Sequence, residues 1–186
     1  MTTAAARDAL VVAARAYDWN AARAAAHALI AAVPRDAALA AVRAELVQRL
    51  PGFEAHHPGV GWPRAYLEGA PGAALDVTHE LPGPGGNSFA SAVEALDDAT
   101  GADDATCRAR LVDALASAIM AELAGAWGAR FPDRWRRWYA DVTSGEAPTE
   151  PLALDHMRQW PETAAGFARA WSDVAARLAA ARLAPE

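Results

Sequence analysis

The chain has 186 residues, 53% of them hydrophobic, with a net charge of -6 and a single cysteine, Cys107. That length suits one hydrophobic core, the acidic balance excludes a general nucleic-acid binder, which needs a positive field to displace counterions from phosphate, and one cysteine excludes an internal disulfide or a cysteine-based zinc site. About half of the hydrophobic residues are alanine, so the bulk of a core must come from the seven tryptophans and four phenylalanines, whose rings remove far more area from water than a methyl group.

The first turn lacks the cleavage pattern of a secretory leader, and no run approaches the roughly 18 uninterrupted apolar residues of a membrane span. A soluble, cytoplasmic protein with no membrane partner is the expectation.

From Thr3 to about Tyr17, Leu10, Ala14 and Tyr17 recur at helical spacing, and Asp18 or Asn20 then offers an N-cap oxygen for a second helix. That helix carries Trp19, Ala22, Ala26, Leu29, Ile30 and Val33 on one stripe and stops at Pro34. Asp36 can cap a third helix with Leu39, Val42, Leu46 and Leu50 on one face and Arg35, Glu45 and Gln48 toward water, ended by Pro51-Gly52. Short connections make these helices antiparallel neighbours.

The pattern Tyr17-Asp18-Trp19, then Ala22, then Pro34 resembles one tetratricopeptide unit over about a sixth of the chain. No second copy follows at the repeat's period, and a repeat needs neighbours to bury its faces, so the stretch reads as an ordinary helical hairpin.

Between Pro51 and Asn87 prolines and glycines interrupt any periodicity, apart from a short helix near Pro63 to Glu68, and the expectation is one long Gly/Pro-rich loop. Ser88 then caps a helix to about Thr100 with Phe89, Val93 and Leu96 inward. Asp103 or Asp104 starts the central helix, where Leu111, Leu115, Ile119, Leu123 and Trp127 follow at four-residue steps. Pro132 opens a helix with Trp135, Trp138 and Tyr139 on its core face and Arg136 with Arg137 outward. A short helix over Leu152 to Trp160 precedes a last one to about Leu183, with Phe167, Ala170, Trp171, Val174, Leu178 and Ala181 inward. The predicted architecture is therefore all-α: a single domain over residues 1–186, an irregular bundle of about six or seven helices, with the hairpin and third helix in 1–50, the loop in 51–87 and the later helices in 88–186. The region of Trp127 and Trp135 should lie at its heart.

Chemistry concentrates in the loop, where Glu54, His56 and His57 precede Asp76, His79 and Glu80. Imidazole and carboxylate suit a divalent transition metal, so His56, His57, Asp76 and His79 form a candidate ligand set, with His156 beside Asp155 able to join it in space. Against this, Pro58-Gly59 deprives Glu54-x-x-His57 of helical geometry, and loop histidines commonly just bond to turn carbonyls. Glu122 falls between Leu115, Ile119 and Ala126 on the wheel of the central helix, where a carboxylate is costly unless paired. It could pair with an arginine across the core, ligate a metal with the loop histidines or, with His79, serve as an acid/base catalyst, but the leading reading puts it at the rim of the stripe, reaching solvent. The run Leu81-Pro-Gly-Pro-Gly-Gly-Asn87 leads into a helix N-terminus but lacks a phosphate-loop lysine, so it reads as a turn.

Without a specific catalytic signature, the leading expectation is a helical interaction or adaptor protein whose partner is another protein or a peptide. The alternatives are a metal-dependent or acid/base enzyme using the loop histidines and Glu122 on a small molecule, and a protein that binds a small aromatic ligand.

Overall fold

A computed structural model describes residues 2–76, 81, 83–145 and 159–182. Among them are eight helices and no strand: α1 (Thr3–Arg15), α2 (Trp19–Ala31), α3 (Arg35–His56), α4 (Trp62–Leu67), α5 (Gly86–Gly101), α6 (Asp104–Arg130), α7 (Pro132–Ser144) and α8 (Pro161–Ala181). The expected all-α bundle with its Gly/Pro-rich connection is what forms. The helix expected over 152–160 falls almost wholly outside the described residues, as do His79, Glu80, Asp155 and His156.

Capping oxygens set three of the starts, whereas Asp36 and Ser88, expected to cap α3 and α5, do not, those helices starting earlier and without a side-chain cap. Thr2 Oγ1 accepts from the Ala5 N–H at 3.2 Å, Asp18 Oδ1 from Ala21 at 2.9 Å and Asp103 Oδ1 from Thr106 at 3.0 Å, each satisfying an N–H that lacks an intrahelical partner. The α1–α2 reversal places Tyr17 at φ 55, with the Asp18 N–H on the Ala13 carbonyl at 3.0 Å and the Tyr17 N–H on that of Ala14 at 3.2 Å. This is the paired closure normally made with glycine in the left-handed position. Tyr17 holds that conformation with its ring packed edge-on against Phe167 of α8, 4.8 Å between centroids.

Arginines close several helix ends from a neighbouring helix. Arg108 of α6 donates to the Ile30 and Val33 carbonyls at 2.5 and 3.2 Å, Arg35 of α3 to those of Thr100 and Ala102 at 3.1 and 2.8 Å, and Arg43 to those of Tyr66 and Leu67 at 3.3 and 3.2 Å. Each contact satisfies carbonyls that the helix leaves open and fixes where two elements meet.

Helix α6 is the axis of the bundle, with α5 along its length, α3 and α2 against its other sides, and α8 against α3, α1 and α6. Leu111, Leu115 and Ile119 are buried on it, facing Phe89 and Leu96 of α5. By length and composition α6 could cross a membrane, since its 27 residues include an 18-residue window of mean hydropathy 1.3, yet 67% of that window is buried inside the protein.

Three expectations need correction. The interior does not centre on Trp127 and Trp135: Trp127 and Trp171 are buried, but Trp135 and Trp138 are half-buried on α7, which meets the bundle through α6. Helix α3 does not stop at Pro51-Gly52 but runs to His56. An internal proline costs a helix about 3 kcal/mol, and burying a phenylalanine returns a similar amount; Phe53, one turn beyond Leu50 on the buried face, stacks on Phe89 at 4.6 Å and sustains the extra turn. Finally, Glu45 does not face water. It is 2% exposed, because α3 is covered by α5 and α6 on one side and by α8 on another.

Candidate functional site: a pocket between α3, α6 and α8

The stripe of α6 that faces α3 and α8 carries small side chains, Ala118, Ala121, Gly125 and Ala126, at three- and four-residue steps, with Glu122 among them. Helices cannot close over so shallow a floor, and a pocket of about 420 Å³ remains there. Phe53 and Phe89 form an apolar wall, the Pro84-Gly85 turn an edge, and Arg49, Arg169 and Asp173 bring charge from α3 and α8. A smaller space of about 240 Å³ continues past Glu122, Ala126 and Arg169 toward Trp160 and Thr163.

The turn is seated directly on α6. Gly85 has φ +81, and a Cβ there would stand 2.3 Å from the Ala121 carbonyl oxygen, while a Cβ at Gly128 would fall 2.1 Å from the Pro84 ring. Both positions therefore need glycine, the first for its backbone angle as well. The Asn87 side chain accepts from the Leu81 N–H at 3.0 Å and closes the segment. The glycine-rich run is thus a turn, as its sequence suggests.

Charge is ordered in a chain across the pocket. Arg177 Nε donates to Glu45 Oε2 at 2.7 Å, Arg49 Nη2 reaches Glu45 Oε1 at 3.4 Å, and Arg49 Nη1 donates to Glu122 Oε2. Arg169 approaches the other Glu122 oxygen at 3.7 Å. Arg49 is only 11% exposed and Glu122 34%. Pairing across the core is thus what allows Glu122 to occupy an otherwise apolar stripe, since a buried carboxylate without a counterion would be strongly disfavoured.

Of the residues singled out from sequence, His56 and Glu122 both line the pocket. His56 is exposed and lies over Gly125, where a Cβ would meet its ring at 3.0 Å. His57 turns the other way: it is 5% exposed, stacks on Phe53 at 4.7 Å and abuts Gly83 and Gly86. Burial pushes its pKa below the ordinary 6.5, against the opposing pull of the Pro84 carbonyl and with a smaller contribution from His56. Glu54 is held by a two-pronged contact from Arg64, 2.7 Å on each oxygen, which keeps its carboxyl below the usual range. Asp76 is half-buried. Among the described residues no three His, Cys, Asp or Glu side chains are grouped to hold a metal, and His79, the remaining member of the candidate set, lies outside them.

Arg49, Arg169, Asp173, Phe53 and the small-residue floor were not singled out from sequence as site residues. One signal was present: Gly125 and three alanines share a stripe in the long central helix, the mark of a helix whose neighbour must come close or whose surface is left open. No protein-family model, curated protein or solved structure matches the chain.

Proposed function

We propose that the protein binds a small organic molecule in the pocket between α3, α6 and α8. The reading is carried by the meeting, in one cavity of about 420 Å³, of an apolar aromatic wall with a few fixed charged groups, the composition that distinguishes ligand sites from packing faults. The adaptor reading rested on the repeat-like α1–α2 hairpin, the richness in aromatic residues and the lack of a catalytic signature; the two helices of that hairpin pack against α8 and α6, so the pocket is the better place to look for a partner.

Ala126 is exposed and borders both parts of the cavity, so Ala126→Phe fills the space without disturbing the core. Ligand-observed NMR with a library of small fragments should find binders to the wild-type protein whose signals vanish with Ala126→Phe. A library without binders, or binders indifferent to that substitution, would remove the proposal.

A second reading adds turnover of the bound molecule, favoured because His56 and Glu122 share the pocket. It requires His56→Gln to abolish conversion of a bound compound while leaving its affinity nearly unchanged, since a general base contributes to rate far more than to binding.

A further inference from the structure

We infer that the ligand is an amino-acid zwitterion with a large apolar side chain, its carboxylate on Arg169 and its ammonium between Glu122 and Asp173. This rests on the pocket being a ligand site and goes on to name the chemical class. The charged side chains lining the pocket are Arg49, Arg169, Glu122 and Asp173, two of each sign. A monoanion or a monocation would answer only one of the two kinds of charge and would lie beside the other. A neutral apolar compound would strip water from Arg169 and Asp173 and offer neither a partner. A zwitterion answers both signs at once.

The four groups are not equivalent. Arg49 directs its two terminal nitrogens to Glu45, to Glu122 and to the Ala170 carbonyl at 3.5 Å, leaving its buried Nε without a partner among the described residues, so its role is to hold Glu122 in place. Arg169 is 68% exposed, and 3.7 Å from Glu122 is too long for a hydrogen bond, which leaves its fork free for a two-pronged contact with a carboxylate. Asp173 follows Arg169 by four residues on α8 and so lies on the same face, and both line the pocket together with Glu122 of α6. A cationic and an anionic side chain are thus neighbours on one helix face, as the carboxylate and ammonium are on an α-carbon. Beyond them Phe53 and Phe89 supply the apolar wall. The volume lies at the small end of the range for ligand pockets, roughly 300–1,000 Å³, which suits one amino acid rather than a larger ligand.

The test is calorimetric titration with L-phenylalanine, L-tryptophan and L-leucine, each beside its N-acetyl derivative, which lacks the ammonium, and its carboxamide, which lacks the carboxylate. At least one free amino acid should bind, and both of its derivatives should bind about tenfold more weakly or worse, the loss expected for one charge-assisted hydrogen bond. Arg169→Gln should erase the preference for the free acid over the carboxamide, and Asp173→Asn should weaken the parent while narrowing its advantage over the N-acetyl compound. Both residues are exposed, so the fold is retained, and circular dichroism verifies it. Derivatives that bind within about twofold of the parent would overturn the zwitterion assignment and leave the pocket intact. So would silence from all three amino acids while fragments still bind in an Ala126→Phe-sensitive way. If fragments fail as well, the pocket reading itself falls.

Discussion

Glu45 shows how a single residue can be legible in composition and illegible in place. The wheel of α3 puts the row Leu39, Val42, Leu46 and Leu50 on one face and Glu45 beside it, which is correct for a helix with one covered side. Here α8 covers a second side, and Glu45 is enclosed with Arg49 and Arg177. Removing it would leave two guanidinium groups facing each other near the core without their shared counterion. Glu45→Ala should therefore cost about 3–5 kcal/mol of stability, measured by urea unfolding, and Glu45→Gln, which keeps an acceptor, should cost less. Glu122 was legible in part: its apolar stripe suggested either a rim position reaching solvent or a partner across the core, and it has both, 34% exposed and paired with Arg49. The arginine itself carried no such signal, because an arginine bordering an aliphatic row usually just covers it with its stem.

At the same scale, His57 makes stability depend on pH. Its folded-state pKa lies below the ordinary 6.5, first because burial penalises the charged ring. As pH falls, the unfolded chain takes up the proton before the folded one does, so the unfolded state is favoured. The contribution of His57 is complete above about pH 6.5 and is lost below it. The urea midpoint should fall between about pH 7.5 and about pH 5.5 by more in the wild type than in His57→Gln; equal falls would show that the histidine is not the source.

Among the elements, boundaries written in capping oxygens were readable in part, since Asp36 and Ser88 were expected to cap α3 and α5 and neither helix has a side-chain cap, and those written in prolines and glycines were misread in part as well. Thr2, Asp18 and Asp103 each supply the local hydrogen bond that starts a helix, which needs no knowledge of the rest of the fold. Pro51-Gly52 was assigned its usual local meaning, yet the outcome was decided by Phe53 meeting Phe89, a contact across 36 residues that no window of sequence contains. Gly52 then sits inside a helix with open space around the position of a Cβ. Gly52→Ala should stabilise the protein by about 0.5–1 kcal/mol, the difference in helix propensity between the two residues. Gly85 is its opposite, with a positive φ and the Ala121 carbonyl where a Cβ would go. Gly85→Ala should lose about 1–3 kcal/mol or more from backbone strain alone, and thermal melts of the two variants should move in opposite directions. The loop expected over 51–87 is accordingly shorter than it read: its first turn belongs to α3 and its last residues are fastened to α6.

For the molecule as a whole, the class of fold was legible because helical periodicity is local, and the arrangement was not because the decisive pairings join distant parts of the chain. The pairing of α1 with α8 is the extreme case. It fixes Tyr17 and Trp19 against Phe167, with centroids 4.8 and 4.7 Å apart, and Trp171 stands buried behind them. The hairpin that resembles one tetratricopeptide unit therefore buries its faces against α6 and α8 rather than against copies of itself, and it should have no stability of its own to fall back on. If the first and last helices share one interior with α5 and α6, no part can open without exposing the core of another, and unfolding should be a single event. Tryptophans occur in α2, α4, α6, α7 and α8 and at Trp160, so their combined emission samples five of the eight helices, from the second to the last, while far-UV circular dichroism follows the backbone. The two signals should trace one coincident urea transition, and Trp171→Ala, at a cost of about 3–5 kcal/mol, should shift both midpoints equally. Two separated transitions, or a Trp171→Ala shift confined to one probe, would instead divide the chain into parts that fold independently.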